Sequence, residues 1–188
     1  MIFNDMDIEK IQEEKRKQRK DEHIENYLKT EYRSRTLLDC VYIEHKALPK
    51  INFDDIDTSI EFVGQKISMP LMINAMTGGG EASEDINDDL SNICLEMNIP
   101  MAVGSQAIAI KDESTRPSFE VVKEHEDLVR IGNLGMNNTA DDFKFARDLI
   151  DARAMQGHLN LAQELVMEGG DREFTNTLDN VKNIVKEL

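Results

Sequence analysis

From Met69 onward the apolar and polar positions repeat in one order: a short apolar run, a polar or glycine-rich turn, then a longer mixed stretch. Pro70-Leu71-Met72-Ile73-Asn74-Ala75-Met76 is almost continuously apolar, as expected of a strand buried on both faces of a parallel sheet. It ends in Thr77-Gly78-Gly79-Gly80, and a helix is predicted from Glu81 to Met97. The second unit reads as a strand over Pro100 to Gly104, a turn at Ser105-Gln106, and a helix from Arg116 to His125. The third has a strand over Leu128 to Gly132, a loop Asn133-Leu134-Gly135, and a helix from Asp141 to Ile150. In the fourth, a strand over Ala154 to Leu159 leads into a loop carrying Asn160 to Glu164, and a helix runs from Thr177 to the end. About four successive βα units predict a parallel α/β sheet.

Ahead of this lies a different pattern. Asp7 to Lys29 holds helix formers without Gly or Pro and has few apolar positions, which predicts one long or two abutting polar helices lying across another surface. Thr36 to Ile43 reads as extended chain or a short helix, and Asn52 to Thr58 as an acidic loop. Ile60 to Ile67 alternates and turns like a small hairpin closing one end of a domain. Three segments result: a polar helical extension over 1–18, a helical lid with the capping hairpin over 19–68, and the α/β part over 69–188.

Composition narrows the function classes. A formal net charge of −15 repels nucleic acid and anionic membranes, so a phosphate ligand needs a local island of positive charge. The run Lys15-Arg16-Lys17-Gln18-Arg19-Lys20 is one such island, or else the solvated face of a helix. Read as a nucleic-acid arm it is weak, because no aromatic residues interleave it. The N-terminal MIFNDMDIEK lacks the apolar core of a signal peptide, and Cys40 and Cys94 have no metal-type spacing, so a reduced, cytoplasmic setting is expected.

Parallel sheets bind ligands outside the carboxyl ends of their strands, where the βα loops gather. Here those ends are Met76-Thr77-Gly78-Gly79, Gly104-Ser105-Gln106, Asn133-Leu134-Gly135 and His158 to Glu164. The last packs an imidazole, two side-chain amides and a carboxylate into seven residues. As a strand end it would turn His158 and Asn160 to one face and Leu159 to the other, with Gln163 and Glu164 following in the turn. An anionic ligand carrying a metal suits that group. For any one of these residues taken alone, a satisfied core histidine followed by an ordinary helix start is the better account; the cluster outweighs it only where other stretches point to the same place.

In order along the chain, Arg19-Lys20-Asp21-Glu22-His23-Ile24, Met76-Thr77-Gly78-Gly79, Val103-Gly104-Ser105-Gln106, Asn133-Leu134-Gly135, His158-Leu159-Asn160 with Gln163-Glu164, and Gly170-Asp171-Arg172-Glu173-Phe174 resemble the type 2 isopentenyl diphosphate isomerases. The resemblance runs from Arg19 to the end. It implies a (β/α)8 TIM barrel, of which only about four βα units are present after an N-terminal helical segment, since a complete barrel takes about 250 residues. It also implies FMN, Mg2+ and NADPH as reductant for the isomerisation of isopentenyl to dimethylallyl diphosphate. Met76, Thr77, Ser105 and Asn133 would line the flavin, with Gly78 shaping the turn. Arg19, Lys20, His158, Asn160 and Gln163 would hold the substrate, Gln163 also positioning it at the catalytic centre, and Glu164 would bind the metal. Ala107 stands where many members of that family have Arg. A half-barrel implies a homo-oligomer or a complementing C-terminal half, with no nucleic-acid or membrane partner. The alternative is a non-catalytic remnant keeping part of a flavin or diphosphate surface.

Overall fold

The computed structural model describes residues 5–31, 36–167, 170 and 172–188. Its centre is a three-stranded parallel sheet in the order β3-β4-β5, formed by β3 (Met101–Ala102), β4 (Arg130–Gly135) and β5 (Ala154–His158). A separate antiparallel hairpin, β1 (Ile60–Phe62) and β2 (Gln65–Ile67), precedes it. Its turn places Val63 at φ 45° and Gly64 at φ 76°, the left-handed pair that matches the twist of a tight hairpin. Helices α1 (Asp5–Lys29), α2 (Ser83–Met97), α3 (Ala107–Lys111), α4 (Pro117–Glu120), α5 (Ala140–Leu149), α6 (Leu161–Val166) and α7 (Thr177–Glu187), with four short 3-10 turns, complete the described elements.

This is not the expected (β/α)8 barrel. The described strands form an open three-stranded sheet and a detached hairpin, with no closure between them. The first expected strand is also missing as an element: over Pro70 to Met76 only Ile73 bridges Met101. Its backbone still runs beside β3, with Ile73 N–H donating to Pro100 O at 3.0 Å and Ala102 N–H to Ile73 O at 2.8 Å. Pro70 has no N–H to give a ladder and Leu71 is more than half exposed, so the contact starts only at Ile73, and its one further bond is Gly104 N–H to Thr77 O at 2.8 Å. The helix expected over Arg116 to His125 is broken into α4 and a 3-10 turn that follows it, Val121–Glu124. Two short helices, α3 and α6, arise where loops were expected.

Burial explains which runs became strands. Every residue of β3 and β4 is buried. Met101, Val103, Leu128, Phe119 and Ile150 pack in one core with Cys94 of α2. Leu134 joins Phe143 and Ala146 of α5 and Ile184 of α7 in a second. On the remaining side Ile67 of the hairpin covers Ala102, Val129 and Ile131. The Cys94 thiol is fully buried, and burial raises its pKa, so it behaves as a small core residue. α5 starts where the sequence asks for it, at a capping box between Thr139 and Asp142. At the opposite end of the sheet from the candidate site, buried Arg130 donates to His125 O at 2.6 Å and pairs with Asp151 at 2.9 Å, a structural clamp.

α1 continues through residues 18 and 19 without a break. It touches the α/β part with residues spaced one turn apart. Lys17 Nζ bridges Asp112 at 2.7 Å and Ser114 Oγ at 2.7 Å, Lys20 Nζ reaches Ser105 O at 3.5 Å, and Asp21 accepts from Glu81 N–H at 3.0 Å. Positions 17, 20 and 21 share a helical face, so the basic run is not wholly solvated. Among the described residues no helix is long and apolar enough to cross a membrane.

Candidate functional site

A cavity of about 600 Å³ opens at the carboxyl ends of the strands. Such a volume suits a small-molecule ligand. Its walls include Lys20 of α1, Asn74 to Met76, Gly104 and Ser105 after β3, Ala107 and Lys111 of α3, Asn133 and Gly135 of β4, Gln156 and His158 of β5, and Asn160, Gln163 and Glu164 around α6.

The wall is built from β4 and β5. Their parallel register sets Asn133 beside Gln156 and Gly135 beside His158. Asn133 Nδ2 donates to Gln156 Oε1 at 2.9 Å, and Asn133 Oδ1 lies 2.9 Å from His158 Nδ1. With a carbonyl oxygen as its partner, Nδ1 carries the proton and Nε2 is left as an acceptor in the neutral ring. Gly135 makes room for that ring, since a Cβ there would stand 3.3 Å from His158 Nε2.

Behind this wall Gln106 is fully buried. Its Oε1 accepts from Asn133 N–H at 3.0 Å and its Nε2 donates to Ala146 O at 2.7 Å, tying β4 to α5. Gln106 N–H in turn donates to Asn133 O at 2.9 Å. The side chains that face the cavity are thus held by a second row that does not.

Burial lowers the pKa of His158; Glu164 nearby opposes this and Lys20 adds to it. The imidazole is therefore neutral near pH 7. Because its folded pKa is depressed, the associated stability is present above the unfolded value of about 6.5 and is lost as pH falls through the folded value. A bound anion favours the imidazolium, which gains a donor at Nε2. Inorganic pyrophosphate should therefore bind with proton uptake just below neutrality, and His158→Gln should abolish the His-dependent part. Calorimetry in buffers of different ionisation enthalpy measures this; equal uptake in both proteins would remove His158 from the ligand.

The expected residues divide into two groups. Lys20, Met76, Ser105, Asn133, His158, Asn160, Gln163 and Glu164 all line the one cavity. Thr77 and Gly78 do not. Thr77 is buried with its hydroxyl 2.8 Å from Ser83 Oγ, and its carbonyl accepts from Gly104 N–H at 2.8 Å. Gly78 lies against the Phe119 ring, where a Cβ would collide. The neighbouring backbone donors are spent inside the fold, Gly79 N–H on Ser118 Oγ and Gly80 N–H on Ser83 Oγ. The side chain of Arg19 and residue Asp171 lie outside the described residues.

Strand alternation does not reach past His158. β5 stops there, and Leu159 lines the same cavity as His158 and Asn160 because the chain turns directly into α6. Asn160 Nδ2 donates to Gln163 Oε1 within that turn. Sequence reasoning missed Asn74, Gln156 and Lys111. Gln156 was legible in principle, two residues before His158 on the same strand face.

The residues fit the implied groups unequally. Among the described residues no cluster of three or more His, Cys, Asp or Glu side chains forms a metal cage, so Glu164 offers one carboxylate. That suits Mg2+, which is commonly held by one or two carboxylates together with substrate phosphates. For a flavin ring, Met76 offers an exposed apolar surface and Asn74 and Gln156 line the wall with amides. In the described glycine loop the N–H groups of Gly79 and Gly80 are spent inside the fold and cannot cradle a phosphate.

No family model matches the chain. It is similar to proteins named isopentenyl-diphosphate delta-isomerase: 41% identical over 175 residues to that of Bacillus licheniformis, covering 92% of this chain and 50% of the relative. The Geobacillus sp. protein is 39% identical over 175 residues, with 92% and 50% covered. That of Listeria welshimeri is 38% identical over 173 residues, with 91% and 48% covered. The chain spans about half the length of the curated relatives it matches. These findings correct the narrower placing in the type 2 class: the relatives' names reach isopentenyl-diphosphate delta-isomerase and give neither a type nor a flavin.

Proposed function

We propose that the chain carries the diphosphate-holding part of an isopentenyl-diphosphate delta-isomerase, which converts isopentenyl to dimethylallyl diphosphate. The observation that carries this reading is the gathering of Lys20, His158, Asn160, Gln163 and Glu164 on one cavity. In a chain of net charge −15, a cavity with cationic and amide donors around a single carboxylate is suited to a compact anion with a divalent cation. Lys20 would neutralise the diphosphate, His158 would donate from Nε2 once protonated, and Asn160 and Gln163 would fix its orientation. Glu164 would hold Mg2+ against it.

Shifting the double bond adds a proton at one carbon and removes one from another. Gln163, the residue expected at the catalytic centre, has no titratable proton, so it positions substrate and metal. FMN, kept reduced by NADPH, would supply the acid and base when bound, with Met76, Ser105 and Asn133 beside it. The protein's part is orientation and exclusion of water. β5 pairs with β4 alone among the described strands, which supports association with a second copy or a complementing C-terminal half.

The test is an anaerobic assay of the purified chain with isopentenyl diphosphate, reduced FMN and Mg2+, with and without a relative's C-terminal half. Turnover in either case supports the reading. Tight diphosphate binding with no turnover in both supports the non-catalytic alternative. Glu164→Gln should weaken Mg2+-dependent diphosphate binding on the order of tenfold or more while sparing flavin binding. Equal loss of both ligands would exclude the metal role.

A further inference from the structure

The Lys17–Asp112 ion pair joins α1 to the residue that follows α3, at a distance of 2.7 Å. On either side of it stands a lysine of the cavity. Lys20 is one turn beyond Lys17 on α1, and Lys111 is the last residue of α3, next to Asp112 in the chain. Asp112 is the carboxylate in sequence nearest Lys111, and it is already engaged by Lys17 and by Ser114 at 2.7 Å. The Lys17 contact, foremost, also holds the Asp112 carboxyl below its ordinary pKa and so keeps it charged. Lys111 is exposed and makes no hydrogen bond or ion pair with another described residue.

We propose that Lys111 is a further anion-binding residue of this cavity, joining Lys20 on a diphosphate, and that the Lys17–Asp112 pair sets the spacing of the two. The inference rests on the isomerase reading for the identity of the ligand. A compact polyanion is held better by two cations than by one, and an ammonium on a flexible four-carbon stem reaches it without a fixed geometry. Ala107, one turn before Lys111 on the same helix face, is small and leaves the path from Lys111 into the cavity open.

Calorimetric titration with magnesium-free inorganic pyrophosphate tests this. Lys111→Gln should bind on the order of tenfold more weakly than the unchanged chain, and Lys111→Arg should recover most of the loss. The deficit should shrink at high ionic strength. Lys123→Gln, exposed and away from the cavity, should bind normally. Asp112→Asn should weaken binding less than Lys111→Gln, because it loosens the spacing without removing a charge from the cavity wall. Normal affinity in Lys111→Gln, with the unchanged chain binding pyrophosphate, overturns the inference and leaves the isomerase reading intact. Weakened binding in Lys111→Gln, with isopentenyl diphosphate binding no better than pyrophosphate to the unchanged chain, supports Lys111 and counts against the isomerase reading.

Discussion

Gln106→Ala should destabilise the folded chain by about 3 kcal/mol, combining a buried backbone donor left unpaired with the cavity left by the side chain. Gln106 is fully buried and spends both ends of its amide, on Asn133 N–H and on Ala146 O. Removing it takes a side-chain partner from both groups at once. Gln106→Leu fills most of the space but restores neither bond, so it should recover less than half of the loss. Urea unfolding followed by circular dichroism measures both variants. A cost below about 0.5 kcal/mol for alanine, the range of ordinary surface changes, would mean that the β4 to α5 tie is not what holds the wall. Asn133 depends on this tie, and through Asn133 so does His158. Pyrophosphate affinity should therefore fall in Gln106→Ala even where the protein remains folded.

Gly104→Ala is expected to cost a similar amount by the opposite route. A Cβ at 104 would lie 2.5 Å from the Thr77 carbonyl oxygen and 2.7 Å from its carbon. The obstacle is backbone, which cannot swing aside as a side-chain tip can. The same carbonyl accepts from Gly104 N–H, so the two strand ends must separate and lose that bond, for about 3 kcal/mol of overpacking and lost pairing together. Met76 and Ser105, on either side of this contact, would move apart and widen the cavity. The urea midpoint and the affinity for inorganic pyrophosphate report the two consequences separately. An unchanged midpoint would show that the close approach relaxes without cost.

Several features of this chain follow from local sequence alone. α5 and α7 begin within one residue of the positions predicted from patterning, because capping chemistry and an apolar stripe act within a few residues. The hairpin at 60–67 is equally local, resting on alternation and a Val63-Gly64 turn. Ser105, Asn133 and His158 were legible as one surface, since a parallel sheet carries its carboxyl ends to the same side, although the expected loop Asn133-Leu134-Gly135 is the last half of strand β4.

The barrel expectation failed because closure is not a local property. Each apolar run predicts a buried strand, but whether a strand finds partners on both edges depends on segments distant in the chain, and here Pro70 to Met76 secures a single bridge. The same limit applies inside the site. The sequence supplied His158, Asn133 and the basic run of α1, and their chemistry marked them as candidates. Only the fold turned Thr77 inward to Ser83, placed Gly78 under Phe119, and brought Lys111 to the cavity holding Lys20. Residue type sets what a side chain is able to bind; the pairing register and the packing of helices on the sheet decide what it faces.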